Sequence, residues 1–211
     1  MANLGITVTY EDGNPILSTL DSEKSISFYQ TRETLYSPEL YNRFIKSAVN
    51  AFRHSETYSI YKSILIGLGL DRDALQSNLT NEHCTIEMHH NVLTVYDIAF
   101  IMCEHVLNTT GKICTFDLCN MLKEEHKSNR VGIVMLSLTS HDAFHDNDDY
   151  FIHPSMVYGN WVEFLYRYNR GITPSIADKL IRYINKSIYN GCTMDAGMLQ
   201  LREHIKCWST Y

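Results

Sequence analysis

The chain has 211 residues, of which 45% are hydrophobic and 20% are charged, so it has enough apolar material for a packed core and wholesale disorder is not expected. The length fits one domain of ordinary size. The formal net charge of -6 argues against a protein that coats nucleic acid by bulk electrostatics, because phosphate binding needs clustered Lys and Arg. A locally basic cleft, or a metal ion that supplies positive charge, stays compatible with this composition.

The six cysteines form no Cys-x-x-Cys pair, which argues against a zinc knuckle. No run approaches the roughly 18 apolar residues that a membrane-spanning helix needs, and the first residues do not have the pattern of a secretory signal. We therefore expect a protein with free thiols in a reducing cytoplasm and no membrane partner.

The first segment, residues 1–80, is predicted to be an N-terminal arm followed by a pair of helices. Residues 6–10 are rich in β-forming side chains, and residues 11–15 have the composition of a turn. Ser37-Pro38 is a typical helix start, with Ser at the N-cap and Pro at the first helical position. A second helix is predicted over residues 56–68, where two glycines end it.

The middle segment, residues 81–170, is predicted to hold two short strands that are far apart in the chain. The first strand covers residues 84–90, and the second covers residues 131–136. Helices are predicted between them at residues 95–107 and 115–126. The second strand leads directly into a further helix.

The last segment, residues 171–211, is predicted to form C-terminal helices that pack on the middle segment. Their expected ranges are 175–189 and 195–208, and a short aromatic helix at residues 160–169 precedes them.

Histidines are the main candidates for metal binding and proton transfer in this sequence. His89 and His90 end the first predicted strand, and His141 and His145 lie one turn apart on one face of the helix after the second strand. Imidazoles gathered there could bind a divalent ion (Zn, Ni, Mn or Mg), and a remaining ring could take a proton from water at neutral pH. Nitrogen and water ligands suit Zn or Ni better than Mg. The alternative is that these are hydrogen-bonded core histidines.

The order of these features resembles the HNH endonucleases of the His-Me finger superfamily, and most of all a group found in large tailed bacteriophages. The likeness rests on Glu87-Met88-His89-His90, on the strand end at residues 134–137, and on His141-x-x-x-His145. It implies an α+β fold: a mostly α-helical domain built around a ββα-metal finger, with a helical insertion between the two strands.

The resemblance also implies roles for individual residues. His90 matches the general base, His89 and His141 match metal ligands, and His145 matches an additional histidine of the same helix. The asparagine that orients the base in this family has no direct match, because the position nine residues before His141 is a glycine. Asn129 is the nearest candidate for that role.

Two functions follow from the resemblance. The first is a metal-dependent endonuclease that hydrolyses phosphodiester bonds in nucleic acid, with DNA favoured over RNA as the substrate, in the cytoplasm of a phage-infected host. The second is a catalytically degenerate HNH-fold protein that binds or regulates a phage or host protein. The acidic charge and the unmatched asparagine favour the second function, whereas the retention of four histidines favours the first.

Overall fold

The computed structural model describes residues 6–11, 14–19, 26–146, 151–190 and 196–209. Over these ranges the architecture is α+β and mostly helical, as the sequence predicts, with two separate antiparallel sheets. No helix in the described ranges is long and apolar enough to cross a membrane.

The N-terminal sheet has the strand order β1-β2-β3. Its strands are β1 (Ile6–Glu11), β2 (Asn14–Thr19) and β3 (Ile26–Ser27). The predicted strand at residues 6–10 is confirmed, whereas β2 and β3 were not predicted. The predicted turn at residues 11–15 lies partly outside the described residues, which leave out positions 12 and 13. Glu11 and Asn14, on either side of these positions, are paired.

Eight α-helices follow within the described residues, and each predicted helix is present within a few residues of its expected bounds. They are α1 (Pro38–Arg53), α2 (Glu56–Gly67), α3 (Val95–Thr109), α4 (Thr115–Lys127), α5 (Leu138–Asp146), α6 (Trp161–Arg167), α7 (Pro174–Tyr189) and α8 (Ala196–Trp208). Local chemistry explains where several of them begin. The Ser37 side chain accepts the Leu40 N–H at the start of α1, and Thr94 and Asp97 form a reciprocal capping box at the start of α3.

Helix α3 is the centre of the domain. Seven of its residues are buried, and α1, α4 and the short 3-10 turn Asn169–Gly171 pack around it. This turn approaches so closely that a Cβ at Gly171 would overlap the carbonyl oxygen of Ile101, so only glycine fits there. The helices between the two predicted strands are therefore the body of the fold, whereas an accessory insertion was expected.

The main core includes residues from all three predicted segments, for example Phe52, Ile98 and Leu180, each of which is fully buried. Burial of such a side chain stabilises the fold by about 1.5–3 kcal/mol. The three segments therefore share one core, and the boundaries between them stay a prediction.

The second sheet consists of β4 (Ile86–His90) and β5 (Ile133–Ser137), which pair antiparallel, and α5 begins directly after β5. The predicted strand–strand–helix order is thus present. Residues alternate between the two faces of this sheet. Met88 and Met135 belong to the main core, whereas Val134 and Leu136 pack in a smaller cluster with Ile152 on the opposite face.

A buried carboxylate holds the segment after α2 against this sheet. Asp73 is fully buried, and its two oxygens accept the backbone N–H groups of Ser137, Leu75 and Gln76. Burial alone would raise the pKa of this carboxyl, but the hydrogen bonds from Ser137, Ser140 and the backbone outweigh it and lower the pKa.

We predict that Asp73→Ala lowers the free energy of unfolding by about 3 kcal/mol, because three backbone N–H groups lose a charged acceptor in a buried site. Asp71→Ala is the matched control: its ion pair with Arg72 is at the surface, so its loss should change the same free energy by less than about 0.5 kcal/mol. Urea unfolding followed by tryptophan fluorescence measures both. Equal effects of the two substitutions would contradict the role given to Asp73.

Candidate functional site

The strand β4 sends its two adjacent histidines to opposite faces. The His89 ring lies 5.1 Å from the His141 ring and 5.0 Å from the Phe144 ring, on the side of α5. The His90 ring lies 5.1 Å from the His126 ring, on the side of α4. Because neighbouring residues of a strand point in opposite directions, the His89-His90 pair supplies one side chain to each of two separate clusters.

The outer cluster consists of Glu87, His89 and His141. Glu87 stands two residues before His89 on the same face of the strand, and its Oε2 lies 3.6 Å from Nδ1 of His141. The neighbouring carboxylate of Asp142 lies 3.8 Å from the same nitrogen. His89 is buried, whereas Glu87 and His141 are half-exposed. The sequence analysis selected His89 and His141 but not Glu87, although the two-residue spacing to His89 on a strand was the signal for it.

The outer cluster fits a metal ion only in part. Two ligand atoms of a tetrahedral zinc ion lie roughly 3.4 Å apart, given metal–ligand bonds of about 2.0–2.1 Å. The separation between His141 and Glu87 is close to that value. Among the described residues, however, no three His, Cys, Asp or Glu side chains come close enough together to hold an ion. The backbone of His145 lies in α5, but its side chain is outside the described part, so its predicted role as a ligand stays a prediction.

The inner cluster is a buried pair of imidazoles, His90 and His126, with their Nε2 atoms 2.8 Å apart. Nδ1 of His126 lies 2.6 Å from the carbonyl oxygen of Leu122. A carbonyl only accepts, so this Nδ1 carries the proton and neutral His126 presents a bare Nε2. His90 must then donate its own Nε2–H to His126, a tautomer that the hydrogen-bond network assigns. The rings of Phe52 and Tyr61 pack against His126.

Burial keeps both of these histidines neutral. It lowers the pKa of His90 well below its usual value of about 6.5, and the positive charge of Arg53 and the repulsion that a second protonated ring at His126 would cause add to the effect. Burial likewise lowers the pKa of His126 to about 4. The predicted general base therefore lies in the protein core with its Nε2 proton engaged. The sequence analysis missed His126 because it is 36 residues from His90 in the chain and lies in the last turn of a helix.

Asn129, the predicted partner of the base, ends α4 in the left-handed backbone region with a φ of 52°. Asparagine tolerates this conformation better than most residues. Its side-chain Oδ1 accepts a hydrogen bond from the Tyr61 hydroxyl at 3.3 Å, and its carbonyl oxygen accepts the Asn160 N–H at 2.6 Å. These contacts join α2 and α6 to the end of α4, which gives Asn129 a structural role.

The glycine found where the HNH family has asparagine also has a steric explanation. A Cβ at Gly132 would overlap the carbonyl oxygen of Asn91, because the chain that leaves β4 runs directly past the residue that precedes β5. The Gly132 carbonyl accepts the Asn91 N–H at 3.1 Å in the same contact. No side chain can be accommodated at this position without moving the backbone.

Comparison with known proteins finds a family model that matches the chain. A family model described as "Bacteriophage G278-like virion protein" matches residues 3–207, which is almost the whole chain. This match supports the phage origin that the resemblance implied, but the matched family is not the HNH endonucleases. No curated protein and no solved structure matches the chain.

The inner histidine pair predicts a specific loss of stability in mild acid. The folded-state pKa of each histidine lies below its unfolded value of about 6.5, so the unfolded chain takes up protons first. Stability should be full above about pH 6.5 and fall toward pH 4, by about 1.4 kcal/mol per pH unit for each histidine. Urea unfolding between pH 7.5 and pH 5 measures this slope.

His126→Gln tests the assignment, because glutamine keeps a hydrogen-bonding group but does not titrate in this range. Below about pH 6.5, the free energy of unfolding should fall with pH less steeply than in the wild type. The difference should be about 1.4 kcal/mol per pH unit, which corresponds to one proton, whatever the variant's stability at pH 7.5. The wild type, unfolded in parallel at each pH, is the reference for this slope. An unaltered slope in His126→Gln would disprove the assignment.

Proposed function

The chain belongs to the family of bacteriophage G278-like virion proteins, and we propose on that basis that it is a component of the phage particle that acts by binding other particle proteins. The observation that carries the proposal is the placement of His90. A histidine that is buried and hydrogen-bonded to His126 is out of reach of a substrate phosphate unless α4 moves. The ββα unit then serves as a folded scaffold.

The charge of the chain agrees with this proposal. A net charge of -6 gives no general attraction to nucleic acid, whereas it does not oppose binding to a protein surface. The inner histidines have a sufficient physical role as the polar contact that joins β4 to α4. The expected location in the host cytoplasm stays a prediction, and it would describe the protein before it is incorporated into a particle.

We predict that the chain is found in intact particles of the phage that encodes it. Particles should be purified on a density gradient, treated with protease to remove loosely attached protein, and analysed by quantitative mass spectrometry. The ratio of this chain to the major shell protein should stay constant across the particle peak. A non-particle protein of the same phage serves as the control. Absence of the chain from particles, despite its abundance in infected cells, would overturn the proposal.

The second candidate function is metal-dependent hydrolysis of nucleic acid at the outer cluster. The observation that favours it is the approach of Glu87, His89 and His141 to one another on the half-exposed side of the sheet. In this case His89 and His141 would hold the divalent ion, which would neutralise charge on the phosphate. Glu87, rather than the buried His90, would be the group placed to accept a proton.

A plasmid-nicking assay with Mg, Mn, Ni or Zn distinguishes the two functions. The binding proposal predicts no nicking above the metal-only blank and no difference between the wild type and His90→Ala. Titration calorimetry with Zn or Ni gives a second readout that is independent of activity. Nicking and metal binding that are both lost in folded His89→Ala and His141→Ala, but retained in His83→Ala, would establish the nuclease instead.

A further inference from the structure

A half-open cavity of about 680 Å³ lies between α3, the start of α7 and the end of α8. This volume is in the range of about 300–1,000 Å³ that is usual for the binding sites of small organic groups. Its charged and larger apolar lining side chains are Arg32, Glu104, Arg170, Ile172, Pro174 and Trp208. None of these residues belongs to either histidine cluster, so the cavity is a separate candidate site.

The lining of the cavity has an excess of one positive charge. Arg32 and Arg170 are cations, and Glu104 is the one acid among the lining residues of the described chain. Both carboxylate oxygens of Glu104 are engaged: Oε2 accepts a hydrogen bond from Arg32 at 3.0 Å, and Oε1 accepts the Tyr41 hydroxyl at 2.6 Å. The cavity therefore has no free carboxylate for a cation, whereas the second guanidinium is available to an anion.

Arg170 is the group best placed to bind that anion. It is exposed, and no Asp or Glu of the described chain lies within ion-pair distance of its guanidinium. Its backbone is fixed, because its carbonyl oxygen accepts the Asn108 side-chain N–H at 2.7 Å and the adjacent Gly171 packs directly on Ile101. A guanidinium can form two parallel hydrogen bonds to a carboxylate. The nearby start of α7, at Thr173, adds the positive end of a helix dipole.

The apolar part of the lining is held in place as well. Ile172 is buried in the main core. The Trp208 ring is stacked on the His204 ring with their centroids 5.7 Å apart, and it meets the Tyr166 ring at 5.1 Å in an edge contact. A fixed apolar wall close to an unpaired guanidinium suits a ligand that has an anionic group next to an apolar one.

We propose that this cavity binds an acidic segment of a partner protein, in which one carboxylate side chain pairs with Arg170 and a neighbouring apolar side chain packs against Ile172 and Trp208. The single excess positive charge matches one carboxylate. A phosphate ester carries about two negative charges, and the net charge of -6 on the chain repels a polyanion such as nucleic acid. The inference rests on the proposed function, because it names the chemistry of one partner in the particle.

An NMR titration of the full-length, ¹⁵N-labelled protein tests this proposal, since it detects weak binding. The Trp208 indole N–H reports on the cavity wall, and the indole N–H of Trp161, which is buried in the main core, is the internal control. The probe is acetyl-Leu-Glu-Leu-amide, and the neutral acetyl-Leu-Gln-Leu-amide is its matched control. The acidic peptide should shift the Trp208 signal saturably, leave the Trp161 signal in place, and bind at least about tenfold more tightly than the neutral peptide.

Arg170→Gln should weaken the binding of the acidic peptide at least about tenfold and leave the binding of the neutral peptide unchanged. The fold should persist in this variant, because the contact that fixes Arg170 uses its carbonyl and not its side chain. Arg182→Gln is the matched control, since it removes an exposed charge farther along α7. It should change the affinity for the acidic peptide by less than about twofold.

Equal affinities of the two peptides, or equal losses in the two variants, would overturn the proposal. Acetate that binds as tightly as the acidic peptide would overturn the role of the apolar wall. Adenosine monophosphate that binds more tightly than the peptide, and loses affinity in Arg170→Gln, would assign the cavity to a nucleotide instead. The particle role is tested separately: a chain that is found in particles but binds no acidic peptide keeps that role and loses only this site.

Discussion

The alternation of side chains along β4 is the constraint on which the chemistry of this domain depends. A strand that lies between a core and an outer layer must send successive residues to different environments. His89 therefore joins His141 and Glu87 near the surface, and His90 joins His126 in the core. A sequence motif with two adjacent histidines suggests one site, but on a strand with both faces covered the same two residues serve two sites.

The helices between β4 and β5, and not the two strands, form the centre of this domain. In a compact finger the strands would form a hairpin and the rest of the protein would be added to it. Here α3 lies at the centre of the main core, and α1 and α4 pack against it. The β4–β5 sheet is attached to this helical body through buried Met88 and Met135, through the His90–His126 hydrogen bond, and through Asp73. The sheet thus packs on the helical body and is not at the centre of the core.

The helices were predictable because each has local signals of its own, such as the Ser37-Pro38 start of α1 and the Thr94–Asp97 box of α3. The order of β4, β5 and α5 was predictable from short apolar runs. The partner of His90 was not, because His126 meets it only through the packing of α4 on the sheet, and sequence spacing has no information on that approach. Glu87 was overlooked because the resemblance drew attention to histidines alone, and the metal assignment at His145 stays a prediction.

Buried histidines and exposed isoleucines bear on the same question of what this domain contacts. Both ring nitrogens of His126 have a partner, Nε2 with His90 and Nδ1 with the Leu122 carbonyl, so this imidazole needs no ligand to complete its hydrogen bonds. Ile60, Ile64 and Leu68, in or next to α2, are the opposite case, because about half or more of each side chain is exposed to water. Free energy that burial could supply on binding is therefore available at exposed apolar side chains and not at the inner histidines.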